Sequence, residues 1–187
     1  MDEACSATNG AMAAMIGADE SAVRALAADA DVDVANINAP GQIVISGEKA
    51  KVEIAVGLAK EHGIRRAMLL NVVGAYHSRL MESAYEKLGA VLLHVPVQPP
   101  RFPVISNVTG AEVKTPIEIR RTLQDQVTGT VRWLDCIERL AGLGCDFFVE
   151  LGPGGVLAGL LRRTSKGANV ISVADADSVR RCVERLA

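Results

Sequence analysis

Long apolar runs and blocks of like charge are both absent from this sequence of 187 residues. No window approaches the ~20 consecutive apolar residues that a membrane-spanning helix needs, and residues 1–4 have neither the basic region nor the apolar core of a secretory signal. The 20 basic and 22 acidic residues are interspersed and leave a formal net charge of −2. That balance provides no electrostatic footprint for nucleic acid or an anionic membrane. We therefore expect a soluble cytoplasmic protein with neither kind of partner.

Metal and phosphate motifs are missing as well. The four cysteines are widely spaced, with no Cys-x-x-Cys pair and no histidine in ligand register, so the sequence predicts buried thiols and no metal site. The loop at residues 152–155 is rich in glycine but lacks the lysine and the spacing of a P-loop. It is more typical of a tight structural turn before a helix than of a phosphate site.

What the sequence does contain is a regular alternation of strand and helix patterns in its first third. The predicted strands are residues 11–17, 32–37, 42–46 and 64–72, and the predicted helices are residues 19–30 and 48–62. The order β-α-β-β-α-β is typical of a ferredoxin-like fold, in which two helices cover one face of a four-stranded antiparallel sheet. We assign this small subdomain to residues 10–72.

The remainder, residues 73–187, alternates differently. Helices are predicted at residues 80–91, 116–126, 133–143, 156–163 and 177–186, and strands at 102–108, 145–151 and 169–173. Thr115 before Pro116 is a typical helix start. The alternation predicts a parallel sheet covered by helices. Three strands are few for a sheet of ~4 to 6 strands, so we expect further strands upstream of Met1.

A histidine occupies the connection between these parts, in residues 74–78, which we call the His77 loop. Held between a strand-like run and a helix, His77 could act as a general base, although an isolated loop histidine is more often solvated. The sequence has no Gly-x-Ser-x-Gly elbow, the device that presents a nucleophilic serine to such a histidine. The chain thus contains half of a catalytic pair.

Five segments, taken together, carry a resemblance to a known family. They are residues 10–14, 34–47, 74–78, 130–133 and 148–157. In this order they resemble the C-terminal part of the malonyl-CoA:acyl carrier protein transacylases, the acyltransferase family of fatty acid and polyketide synthesis. The resemblance implies an α/β fold in which the ferredoxin-like small subdomain interrupts an α/β-hydrolase-like large one. Residues 73–187 would form the C-terminal part of the large subdomain.

The resemblance also implies a function. Family members use a serine to take malonyl from coenzyme A and pass it to the phosphopantetheine thiol of acyl carrier protein, a ping-pong mechanism. By resemblance His77 is the general base, Gln126 orients it through a carbonyl, and Tyr76 and Asn38 bind substrate. Asn38 has a second interpretation, as a turn residue. Malonyl-CoA and acyl carrier protein are the implied partners, with no cofactor beyond the thioester substrate and a monomeric full-length form.

Departures from the family pattern leave an alternative open. The nucleophile elbow, the oxyanion loop and the carboxylate-binding arginine of the family all precede the segments matched here, so we expect the chain alone to be inactive. Thr130 takes the place of the usual proline, and Tyr76 that of the usual phenylalanine. The alternative is a catalytically incomplete remnant that binds a carrier protein or another subunit.

Overall fold

The computed structural model describes residues 1–186, which fall into two units that meet in sequence at Cys136 and Ile137. The first unit contains α1 (Asp2–Ala7), β1 (Gly10–Ile16), α2 (Glu20–Asp29), β2 (Asp33–Ala39), β3 (Gln42–Glu48), α3 (Lys49–Leu58), β4 (Arg66–Leu69), a 3₁₀ turn (Arg79–Met81), α4 (Glu82–Leu92), β5 (Val104–Ser106), β6 (Ala111–Val113) and α5 (Pro116–Asp125). Helix α6 (Trp133–Gly142) runs across the division, and β7 (Phe147–Leu151), α7 (Val156–Thr164), β8 (Asn169–Val173) and α8 (Ala176–Leu186) follow.

Strands β1 to β4 form one antiparallel sheet in the order β2-β3-β1-β4. The predicted β-α-β-β-α-β order is present, although α3 and β4 are shorter than expected. The chain leaves α3 in a turn in which Gly63 has a φ of 72° and the Ile64 amide donates to the carbonyl of Ala59. Apolar residues of α2 and α3, among them Leu26 and Val52, are buried in one cluster with Met15 and other sheet residues.

Strand β2 is an edge strand with two irregularities. Its pairing with β3 passes from Val34 to Asn36 and from Ile37 to Ala39, so Ala35 and Asn38 are extra residues that face no partner across the ladder. Such bulges bend a strand and re-aim its side chains. Carbonyl and amide groups of β2 are consequently available to a segment outside the sheet.

The prediction of a third parallel strand at residues 102–108 is wrong in its pairing. Strand β5 pairs antiparallel with β6 in a hairpin, because the chain reverses at Gly110, where φ is 66° and the amide donates to the carbonyl of Ser106 at 2.8 Å. The predicted start of α5 is confirmed: the Thr115 hydroxyl accepts from the Glu118 amide and the Glu118 carboxylate accepts from the Thr115 amide. Helix α1 was not predicted.

In the second unit, β7 and β8 pair in parallel with Phe147 opposite Asn169, as the strand-helix alternation predicted. The Arg185 guanidinium lies over the Phe147 ring, 5.4 Å from its centroid. Within residues 1–186, no helix combines the length and the apolar character needed to cross a membrane. The predicted subdomain boundary at residue 72 stays a prediction.

Candidate active site

The backbone of the His77 loop is held by the buried hydroxyl of Ser78. The Ser78 side chain is fully buried, donates to the Ala75 carbonyl at 2.6 Å and accepts from the Leu80 amide at 3.3 Å. His77 itself has a φ of 55°, in the left-handed region that residues other than glycine rarely adopt. Sequence reasoning missed Ser78, although a serine directly before a helical run is a signal for a cap.

The His77 ring contacts the second predicted catalytic residue. Its Nδ1 lies 2.9 Å from the backbone carbonyl oxygen of Gln126, across 49 positions of sequence. A carbonyl can only accept, so Nδ1 carries the hydrogen of the neutral imidazole. The lone pair then resides on Nε2, which is the atom free to accept a proton.

The Gln126 carbonyl is itself fixed by its surroundings. Gln126 directly follows α5, and its amide donates to the Thr122 carbonyl. Its side-chain Nε2 donates to the Gly129 carbonyl at 2.9 Å and closes the following turn. The orienting group is therefore main chain, and the side chain of Gln126 shapes the turn around it.

The segment after this turn is attached to the edge of the small sheet. The Val131 amide donates to the Ala35 carbonyl at 2.7 Å, and the Ile37 amide donates to the Val131 carbonyl at 2.8 Å. The Thr130 hydroxyl donates to the Val34 carbonyl at 2.6 Å. These bonds form a short parallel bridge to β2 at the first bulge described above.

Tyr76 is half-buried and packs against two apolar clusters, one with Met12 and Ala35 and the other with Cys5 and Met81. The Cys5 thiol beside it, by hydrogen bonding first and by charge second, raises the pKa of the Tyr76 hydroxyl. The phenol oxygen therefore lies beside Cys5 of α1. Tyr76 therefore joins the His77 loop to α1 and to the four-stranded sheet by apolar packing.

Asn38 lies on β2 at the second bulge and is half-exposed. Within the described part of the chain it makes no hydrogen bond to His77, Tyr76 or Gln126. The structure therefore joins two of the four predicted site residues directly, His77 and Gln126. Tyr76 is the neighbour of His77 in sequence, and Asn38 stands apart on β2, the strand to which Thr130 and Val131 are bound.

Two glycines allow the His77 loop to lie close to the elements below it. A Cβ at Gly10 on β1 would approach the Ala75 nitrogen to 2.6 Å, and a Cβ at Gly74 would approach the Cys5 Cβ to 2.8 Å. Both distances are shorter than real Cβ contacts. Glycine at these positions is therefore a packing requirement of the loop.

A carboxylate from β7 already lies at the helix N-terminus that follows the glycine-rich loop. Glu150 accepts from the Leu157 amide at 2.8 Å and from the Ser172 hydroxyl at 2.6 Å, so its carboxylate occupies the helix N-terminus that a phosphate would use. Among residues 1–186 there is no cluster of His, Cys, Asp or Glu suited to a metal ion. Burial raises the pKa of the Cys136 thiol to about 11, which makes it a poor nucleophile at neutral pH.

A loop histidine with one nitrogen held by a carbonyl and the other free has the arrangement that a general base requires. The acyl transferase domain pattern matches residues 3–182, and the chain belongs to this family. The α/β fold class and the family predicted from five short segments are confirmed.

Within that family the chain is similar to malonyl transferases. It is 39% identical over 191 residues to the malonyl CoA-acyl carrier protein transacylase of Bacillus subtilis (strain 168), covering 100% of this chain and 60% of that protein. The crystal structure of the acyl-carrier-protein S-malonyltransferase from Bartonella henselae superposes with a TM-score of 0.91 at 38% identity, over 98% of this chain and 61% of that one.

A third match is a structure of a type II polyketide synthase acyl-carrier protein in complex with its malonyl-transacylase. Its TM-score is 0.91 at 32% identity, and the alignment covers 98% of this chain and 62% of that one. The chain thus spans about 60% of the length of these relatives.

Proposed function

We propose that this chain contributes the general base to malonyl transfer from coenzyme A to the phosphopantetheine thiol of acyl carrier protein. The observation that carries the proposal is the 2.9 Å contact between His77 Nδ1 and the Gln126 carbonyl. It leaves Nε2 free to take the proton of a serine hydroxyl and to return it to the leaving thiol. The serine is supplied by residues other than these 187.

The architecture around the pair supports this proposal. We infer that residues 10–72 are a ferredoxin-like small subdomain and that residues 73–187 are the C-terminal part of an α/β-hydrolase-like large one. The four-stranded sheet order and the parallel pairing of β7 with β8 favour that division. The His77 loop begins the second of these segments.

Substrate contacts are proposed for the two remaining predicted residues. Tyr76 would border the acyl pocket with its ring, and Asn38 would reach it from the bulged end of β2. Malonyl is the proposed acyl group because the relatives bear that substrate in their names. Acyl carrier protein is the proposed acceptor, and the monomer the proposed full-length state.

The test is a chimera in which residues 1–187 are joined to the part of the Bacillus subtilis relative that they do not cover. With labelled malonyl-CoA and holo acyl carrier protein, the chimera should transfer malonyl. His77→Ala should lower the rate by about two to four orders of magnitude, the usual contribution of a general base. His94→Ala is the matched control, because His94 is exposed outside the His77 loop, and should leave the rate unchanged. Equal rates for the two variants would remove His77 from the mechanism.

The lack of a Gly-x-Ser-x-Gly elbow in the sequence favours a second candidate function, a module that binds a carrier protein without turnover. In that case the chain alone should bind holo acyl carrier protein, and the chimera should show no malonyl transfer. Transfer by the chimera that depends on His77 would exclude this candidate.

A further inference from the structure

We propose that Asp33, Arg79 and Thr130 are positioning residues for His77, because they fasten the two segments that form the His77–Gln126 hydrogen bond to the same end of β2. The inference rests on the proposed function for its catalytic meaning. Its geometry is independent of that function.

The first fastening holds the chain directly after His77. The Arg79 amide donates to the Asp33 carboxylate at 2.9 Å, and the guanidinium donates to both oxygens of the same carboxylate at 2.8 to 3.1 Å. Arg79 also reaches Asp31 at 2.7 Å. A carboxylate that receives a main-chain and a side-chain donor from one residue fixes the backbone of that residue as well as its side chain.

The second fastening holds the chain four and five residues after Gln126, at Thr130 and Val131. The Thr130 hydroxyl donates to the carbonyl of Val34, the neighbour of Asp33 on β2, and Val131 bridges to Ala35 next to it. The attachment points therefore follow one another along the strand. A proline at position 130, usual in the family, has no donor for the Val34 carbonyl.

Common attachment matters because the His77–Gln126 bond joins two loops 49 positions apart. Movement of either loop along β2 would break the bond. The imidazole would then be free to adopt the tautomer with its hydrogen on Nε2. Exposed ion pairs contribute little to overall stability, and the Arg79 side chain is more than half exposed. The effect expected of Asp33 is consequently on the orientation of His77 more than on the melting of the fold.

The experiment measures the tautomer of His77 in the 187-residue chain. With ¹⁵N-labelled histidine and a pH at which the imidazole is neutral, two-bond correlations distinguish Nδ1–H from Nε2–H. The unsubstituted chain should show Nδ1–H. Asp33→Ala and Thr130→Val should each raise the ratio of Nε2–H to Nδ1–H by about fivefold to tenfold, the scale of one average tertiary hydrogen bond. Asp33→Asn keeps an acceptor for Arg79 and should therefore return the ratio most of the way to that of the unsubstituted chain.

The matched control is Glu20→Gln, which removes another exposed ion pair, with Arg24, and should leave the ratio unchanged. Unfolding in urea reports whether each variant is folded, and Thr130→Val tests the second fastening independently if Asp33→Ala is unstable. Folded variants with the tautomer ratio of the unsubstituted chain would overturn the proposal.

The chimera separates this inference from the proposed function. There Asp33→Ala should lower kcat with little change in KM and should have no further effect when combined with His77→Ala, because its effect acts through that side chain. A tautomer change without any malonyl transfer by the chimera would support the positioning and refute the function. Malonyl transfer by the chimera with an unchanged tautomer ratio would support the function and refute the positioning.

Discussion

At the scale of the single residue, His77 combines a hydrogen-bonded ring with an unfavourable backbone conformation. Its ring contacts the Gln126 carbonyl, and its backbone has a φ of 55°. A left-handed backbone costs an ordinary residue roughly 1 to 2 kcal/mol. The hydrogen bonds of the next residue, Ser78, hold that conformation in place.

This strain predicts a difference between two substitutions that both remove the imidazole. His77→Ala keeps the unfavourable φ, whereas glycine adopts it without a penalty. We expect His77→Gly to be more stable than His77→Ala by about 1 kcal/mol in the free energy of unfolding, after the larger chain entropy of glycine is subtracted. Urea unfolding of the two variants measures the difference. Equal stabilities would mean that the loop relaxes out of the left-handed region once the ring is gone.

How much of this site the sequence could predict depends on the kind of group involved. His77 is a side chain in a characteristic segment, so resemblance found it. The orienting group at Gln126 is a carbonyl, which every residue has, and no residue type marks it. The Arg79–Asp33 pair joins positions 46 apart, and exposed charges at such a separation carry no pattern before the fold is known.

At the scale of the element, a carboxylate accepts from a main-chain amide at the N-terminal end of each of four helices. Asp19 accepts from the Ala22 amide in α2, Glu118 from the amides that precede α5, Glu150 from Leu157 in α7, and Asp175 from Ser178 in α8. Hydrogen bonds lower the pKa of each carboxylate: backbone donors are the main cause for Asp19, Glu118 and Asp175, and the Ser172 hydroxyl is for Glu150. These caps stabilise the helices only while they are ionised.

The sign of the pH dependence follows. A carboxylate whose pKa is lower in the folded state stabilises that state above its unfolded pKa, about 4 for these groups. Its contribution disappears as the pH falls through the folded value. The amide-proton chemical shifts of Ala22, Leu157 and Ser178 should therefore change with a midpoint below about pH 4, as the carboxylates that accept from them are protonated. Helical ellipticity should fall over the same range. Asp19→Asn keeps a cap that does not titrate, so in that variant the Ala22 amide should lose its titration. Midpoints at or above the ordinary values would contradict the capping.

The elements that the sequence predicted well are those with local signals. Thr115, Pro116 and Glu118 specify the start of α5 within four residues, and the β8 bounds were predicted without error. Strand β5 was assigned to the wrong sheet because its pairing depends on a reversal at Gly110, and a three-residue strand has too short a pattern to reveal its partner. Helix α1 has only six residues, too few for periodicity to identify.

At the scale of the whole molecule, the two units differ in how well they cover their own apolar surface. In the first, the faces of α2 and α3 and one face of the small sheet close over a continuous core. In the second, a two-stranded sheet presents Leu151 at 81% exposure. Val156 at the start of α7 is 67% exposed. Two strands alone give little independent stability, and contiguous exposed apolar surface promotes association.

The consequence is a prediction about both dynamics and association. Amide hydrogens of β7 and β8 should exchange well before those of β1 and β3, because local opening of the second unit costs less buried surface. The chain should also self-associate as its concentration rises, which sedimentation velocity detects. Leu151→Lys should weaken that association by placing a charge on the exposed strand. Val73→Lys, a change at an equally exposed valine of the first unit, is the matched control and should have no such effect. A chain that stays monomeric at every concentration, with β7 amides as protected as those of β1, would show that the second unit is stable by itself despite its exposed leucine and valines.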